Sequence, residues 1–287
     1  MRLNGIKTLY IFIYKGWLGL ISLHLVTQEA IMDYLKEFNA KLQSLDRSKS
    51  IETVFRDFLT LSTYSLAQPF YRSEEIEQKY IETVKNYTKE QANEFPKMLA
   101  LLVSALEEKH QDFLGQVYSL NNFGNANKGQ FFTPYHISKM MAEINMPDIE
   151  NQLENYDYVT LSEPCCGSGG MIIAFAESLK SNGYNYQHQL YVEAIDIDEL
   201  CFKMTYIQLS LLGIPAKVIR GDSLAVQHYE VLYTPFYFIA DFPAKFKKQE
   251  QINKMRNLFK EPEPYPMEKE KTKITTNRAN QLSLFNF

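Results

Sequence analysis

Between Asp33 and Asn121 apolar residues recur at helical spacing. Ile51, Val54, Phe55, Phe58 and Leu59 fall on one face of a helix. Ser73-Glu74-Glu75-Ile76 opens a second helix reaching about Asn86, with acids in the first turn, where the helix dipole favours them. Residues 95–107 carry Met98, Leu101, Leu102 and Leu106 on one side. Such faces predict a helical bundle. Further along, the pattern changes. Short apolar runs at 158–161, 190–195 and 217–220 read as strands, separated by helical stretches at 171–180 and 199–212. Strand and helix in alternation predict an α/β domain with a parallel sheet. The polar, Asn- and Gly-rich residues 121–129 mark the join, so the expected domains are 32–125 (helical), 126–246 (α/β) and 247–287 (tail).

The first strand runs into Glu163-Pro164-Cys165-Cys166-Gly167-Ser168-Gly169-Gly170, and a helix follows. Strand, glycine turn and helix start form a binding loop for a nucleotide-like ligand: the backbone can approach closely, and the helix start offers free N–H groups. The dinucleotide fingerprint GxGxxG is not met, because Gly167-Ser168-Gly169 continues as Gly170-Met171-Ile172. Upstream, Thr133-Pro134 reads as a helix start, with threonine as cap and proline at the first position. His136 belongs to that helix surface. Asp196 ends the second strand, where one carboxylate can accept both hydroxyls of a ribose. Asp198 reads as the cap of the next helix. Asp222 follows the third strand, with Ser223 as an alternative cap. Alone, each acid is an ordinary cap or turn residue. Together they line the carboxyl ends of successive strands, where open α/β sheets bind ligands.

Composition narrows the picture. Forty-five per cent of the 287 residues are hydrophobic and 22% charged, enough for a sizeable core. A net charge of −4 gives no global attraction to nucleic acid, so any such surface is local or lent by a partner. Three cysteines, two of them adjacent in the loop, provide neither a disulfide framework nor zinc spacing. A reducing, cytoplasmic setting and no metal are therefore expected. Residues 8–26 are apolar, but Lys15 near their centre would cost about 2.5–3.5 kcal/mol in a membrane, and no A-x-A cleavage site follows. Residues 1–31 are read as an apolar extension ahead of a natural start at Met32, with no stable membrane insertion. Residues 245–278 hold ten Lys/Arg against five Asp/Glu, with Pro262, Pro264 and Pro266 among them, and are expected to be disordered.

The order of these motifs resembles the N6-adenine DNA methyltransferases of the type I modification-subunit kind, and within them the short N-6 DNA methylase proteins of plasmids and other mobile elements. The resemblance covers roughly residues 50–240. It implies a Rossmann-like, doubly wound α/β fold that binds S-adenosylmethionine, and the few residues left after Tyr237 suggest that the sheet is truncated here. Phe132, Thr133 and Pro134 would lie beside the methionine portion, and Glu163 would meet its amino group. Cys166, Gly167, Ser168 and Gly169 would form the loop, Asp196 and Ile197 would hold the nucleoside, and Asp222 and Ser223 would take the adenine amine. An adenine N6 amine is a poor nucleophile, and the family meets this with an (N/D)PP(Y/F) tetrapeptide and a flipped base. Here that element is degraded. Thr234-Pro235-Phe236-Tyr237 offers Thr234, Pro235 and Tyr237, while Asp241-Phe242-Pro243-Ala244 keeps an acid and one proline.

Two readings stay open: an active DNA methyltransferase, or a catalytically inactive S-adenosylmethionine-binding module in a DNA-modification or mobile-element complex. About 50 residues follow Tyr237, too few for a target-recognition domain, so a specificity subunit or another chain of a modification complex is expected beside the DNA. Gln281, Leu282, Ser283, Leu284 and Phe285 resemble the peptide by which bacterial proteins bind the replication sliding clamp. Leu284 and Phe285 would fill one apolar pocket, and Gln281 would anchor the backbone.

Overall fold

The structure, a computed structural model, describes residues 28–123 and 132–258. Most of the apolar extension and the whole of the Gln281–Phe285 peptide lie outside these residues. The helical half contains α1 (Gln28–Ser44), α2 (Ile51–Tyr71), α3 (Glu74–Val84), α4 (Lys89–Ala92), α5 (Glu94–Glu108) and α6 (Phe113–Leu120). Ser50 caps α2 by accepting from the Thr53 N–H at 3.0 Å, and Ser73 caps α3 in the same way. The expected apolar face of α2 is buried at Val54, Phe55, Phe58 and Leu59. A long helix, α7 (Tyr135–Asn155), then leads into the sheet. It begins one residue later than expected. Pro134, in an extended conformation, is its N-cap, and no side chain caps it, so Thr133 does not play that part.

The α/β half runs β1 (Val159–Glu163), α8 (Gly170–Ser181), α9 (Tyr186–Gln189), β2 (Leu190–Asp196), α10 (Glu199–Leu211), β3 (Ala216–Asp222), β4 (Gln227–Tyr233), α11 (Pro235–Ile239) and α12 (Phe242–Leu258). The sheet order is β1-β2-β3-β4. β1 to β3 are parallel, joined through helices, which is the Rossmann-like arrangement. β4 departs from it: it folds back antiparallel on β3, pairing Asp222 with Gln227 and Lys217 with Tyr233. A four-residue turn is too short for a parallel crossover, so a hairpin is the only connection available.

One face of the sheet is fully buried at Leu190, Val192, Ala194, Ala216 and Val218, while the other carries Thr160, Ser162, Glu193 and Lys217. The buried face shares a single core with the helical half, from Leu35 to Leu232. The join near residue 125 therefore does not separate two cores. Polar ties cross it as well: Lys203 of α10, almost wholly buried, donates to Thr60 of α2 at 2.8 Å and pairs with Glu199. The compact unit ends at Lys245, close to the expected boundary. The tail expectation needs correcting over residues 247–258, which continue α12 as a helix. That stretch has neither glycine nor β-branched runs, and a Lys254–Glu250 pair supports it at i, i+4. Among the described residues no helix is long and apolar enough to cross a membrane, and no group of three or more side chains is placed to hold a metal ion.

Candidate cofactor site

The parallel strands bring Glu163, Asp196 and Asp222 to the same end of the sheet, each as the last residue of its strand. Between β1 and α8 the chain makes a tight double turn. Gly167 and Gly169 have φ of +55° and +91°, a backbone region that side-chain-bearing residues rarely adopt. Cys166 N–H donates to the Ile195 carbonyl at 2.9 Å, which ties the turn to the end of β2. Gly169 is the N-cap of α8 without a side-chain cap, so the first N–H groups of the helix keep their capacity for an anionic or carbonyl partner.

Asp196 is central to this rim. Its Oδ2 accepts from Gly167 N–H at 2.8 Å and its Oδ1 from Asp198 N–H at 2.9 Å. The carboxylate keeps acceptor capacity beyond these bonds. Burial pushes the Asp196 carboxyl above the usual carboxylate range, against the pull of these N–H groups. The following residue, Ile197, is 62% exposed and presents an apolar surface at the same rim. Asp198 points elsewhere: it caps α10, accepting from Leu200 and Cys201 N–H at 2.8 and 3.2 Å.

Other expected residues take more specific places. Asp222 Oδ1 accepts from Leu224 and Ala225 N–H, each at 2.9 Å, so the acid itself rather than Ser223 caps this turn. Glu163 is half-buried, with Cys165 N–H at 3.4 Å from its Oε1. Phe132 lies over Gly167, where a Cβ would come within 3.0 Å of its ring, and it leans on Tyr118 at 5.0 Å. Thr133 and Pro134 are exposed beside it. Cys166 and Ser168 are turned inward. The Cys166 thiol is buried against Thr205 Oγ1 at 3.5 Å, and burial raises its pKa, so it is no nucleophile. The Ser168 hydroxyl is spent on Asp112. These two residues shape the loop through their backbone.

Thr234, Pro235 and Tyr237 are not brought to this rim. Because β4 runs antiparallel, Thr234 lies beside Ala216, at the amino end of β3, roughly 20 Å along the strand from Asp222 at 3.3 Å per residue. Its hydroxyl is fully buried, accepting from Ala216 N–H at 2.9 Å and donating to the Ile214 carbonyl at 2.7 Å. Tyr237 stacks on Tyr233 with centroids 4.3 Å apart. The second partial tetrapeptide is at the same end: Phe242 is buried among Tyr158, Tyr191 and Tyr237. The structure thus places Thr234, Pro235 and Tyr237 at the opposite end of the sheet from Asp196 and Asp222.

Three residues of the site were not foreseen. Asp112, buried at the start of α6, and Gln208 and Thr205, fully buried on α10, all bond to the glycine turn. The one sequence signal was Asp112-Phe113-Leu114-Gly115, a helix-cap pattern that says nothing of a partner 56 residues away.

A family model described as N-6 DNA Methylase matches residues 109–276. No curated protein matches the sequence. Among solved structures, a protein described as a class I S-adenosylmethionine-dependent methyltransferase, from Listeria monocytogenes, aligns at 14% identity with a TM-score of 0.36. That alignment covers 69% of this chain and 55% of the other, so the chain spans little more than half of that protein's length.

Proposed function

Since the chain belongs to the N-6 DNA methylase family, we propose that it binds S-adenosylmethionine at the carboxyl rim of β1–β3 and serves methyl transfer to adenine N6 in DNA. The observation that carries this reading is the joining of the loop to the acid: Asp196 holds Gly167 N–H while standing at the end of β2 with acceptor capacity to spare. S-adenosylmethionine, when bound, supplies an electrophilic methyl group. The residues of the chain hold and orient it. Asp196 accepts the ribose hydroxyls, Ile197 packs on the base, Asp222 receives its amine, Glu163 faces the ammonium, and Phe132 closes the turn from above.

In this reading a partner chain, such as a specificity subunit, supplies target recognition. The Gln281–Phe285 peptide docks the complex on a sliding clamp. A second reading draws support from one observation, the distance of both partial tetrapeptides from the rim: the chain binds the cofactor, and the groups that act on adenine belong to another chain or are missing. Titration calorimetry with S-adenosylmethionine, followed by tritium transfer to DNA, separates the readings. Binding with transfer supports the first. Binding without transfer, even with extract of the source cells added, leaves only the second. No binding sinks both.

A further inference from the structure

Behind the glycine turn, away from the rim, is a polar network that the binding reading does not use. Asp112 belongs to the helical half and is buried. It accepts from three donors: Gly115 N–H at 2.9 Å, Gln208 Nε2 at 2.9 Å, and the Ser168 hydroxyl in a short bond. Gln208 does more than bridge. Its Nε2 also donates to the Ser168 carbonyl at 2.8 Å, and its Oε1 accepts from Leu114 N–H at 3.1 Å. The side chain and the carbonyl of Ser168 are thus both drawn inward, and Thr205 Oγ1 donates to the next carbonyl back, Gly167, at 2.9 Å.

Close packing reinforces this. A Cβ on Gly115 would sit 2.1 Å from Asp112 Oδ2 and 2.6 Å from Ser168 Oγ, so α6 is pressed against the turn as far as a bare backbone allows. A Cβ on Gly170 would meet the same carboxylate at 3.1 Å. Burial favours the neutral form of the acid, while the three donors favour its charge. An acid so placed holds its donors firmly, because an unpaired buried carboxylate is costly.

We infer that Asp112 is a positioning residue for the cofactor: acting through Ser168, it fixes the glycine turn in its binding conformation from the helical half of the molecule. The inference rests on the proposed cofactor site. It makes that site a product of two parts of the chain rather than of the α/β half alone. An immobilised turn presents Gly167 to Asp196, and the first N–H groups of α8 to the ligand, without reordering on binding.

The test is a double-mutant cycle in the full chain, read as S-adenosylmethionine affinity by calorimetry. Asp112→Asn keeps the shape and replaces the carboxyl group by an amide, and Ser168→Ala removes the hydroxyl. Each is expected to weaken binding about tenfold, the usual scale for one hydrogen bond to a charged group. The double variant should be hardly weaker than either single one, because the two act as a unit. Tyr87→Phe, which removes the partly buried bond to Asp57 in the helical half, is the control for general destabilisation and should leave affinity unchanged. Wild-type affinity in Asp112→Asn or in Ser168→Ala overturns the inference, as do additive losses or an equal loss in Tyr87→Phe. If Asp112→Asn does not fold, Ser168→Ala alone decides by the same criterion.

If the unaltered chain does not bind the cofactor, the proposed site fails, and hydrogen exchange still tests whether Asp112 fixes the turn. Amides 167–172 should exchange faster in Asp112→Asn and Ser168→Ala than in Tyr87→Phe. Unchanged exchange overturns it.

Discussion

At the carboxyl ends of β1, β2 and β3 stand Glu163, Asp196 and Asp222, with a glycine turn between them and backbone N–H groups facing outward. At the amino ends of the same strands, Tyr158, Tyr191, Tyr233, Tyr237 and Phe242 pack ring against ring, and Thr234 is buried at the same end. Both ends contain a strand-to-helix turn, and both contain motif fragments. They differ in what the polar groups still have to give. Thr234 has its backbone N–H and its hydroxyl committed to neighbouring backbone. Asp196 holds the Gly167 and Asp198 N–H groups and keeps acceptor capacity beyond them. A motif fragment becomes a candidate site only where its hydrogen-bonding capacity is not exhausted by the fold.

The largest expected effect that follows is at Asp196. Its replacement by alanine removes the charge-assisted ribose bonds and releases Gly167 N–H, so S-adenosylmethionine affinity should fall about a hundredfold. Calorimetry showing less than a threefold change would move the nucleoside elsewhere. The same acid gives a pH signature. Its carboxyl titrates above the usual range because it is buried, so cofactor affinity should decline as pH falls through that raised value, and Asp196→Asn should flatten the profile. Folding has the opposite sign. An acid with a raised folded pKa contributes stability below its unfolded pKa, and this is lost as pH rises through the folded one. Acid titrations of unfolding and of binding should therefore slope in opposite directions for this residue.

At the other end of the sheet the contrast inverts. Thr234→Val leaves Ala216 N–H without its hydroxyl acceptor and the Ile214 carbonyl without its hydroxyl donor, and should cost about 1–3 kcal/mol of stability in chemical denaturation. Cofactor affinity should not move, and a loss there would return Thr234 to the site. Asp198→Ala should cost about 1 kcal/mol as a lost helix cap, again without effect on affinity. A ranking of Asp198 above Asp196 in binding would mean that the end of β2 is misassigned. The smallest effect concerns the peptide outside the described residues. A labelled 277–287 peptide should bind a bacterial sliding clamp only at micromolar strength or weaker in fluorescence anisotropy, and Leu284→Ala with Phe285→Ala should abolish it. A flat titration ends that reading.

Much of this was legible in the sequence, for reasons that can be named. Alternation in residues 190–195 and glycine spacing in residues 163–170 are local signals, and they placed β2, the turn and Asp196 correctly. The direction of β4 was not legible. Val231-Leu232-Tyr233 looks the same in either orientation, and only the short turn after Asp222, with Val226 at φ +54°, forces the hairpin. That hairpin removed Thr234 from the site. Asp112 was illegible for a different reason: a cap pattern announces the helix it starts, while its second duty depends on α6 meeting α8 in space. The helix over residues 247–258 was masked by charge and nearby prolines, which suggested a tail although the local propensities are helical.

The single core shared by helices and sheet has a practical consequence for anyone dissecting the protein. A fragment beginning near residue 126 would contain every residue that faces the proposed ligand and would still be the wrong fragment. It would strip Lys203 of Thr60, Glu230 of the Tyr64 hydroxyl and Ser168 of Asp112, and would uncover the side of α10 that packs on α2. A unit to be expressed, swapped between relatives or fused to another protein therefore has to include the helical half from α1 onward. Recombination points within 45–240 fall inside one cooperative piece.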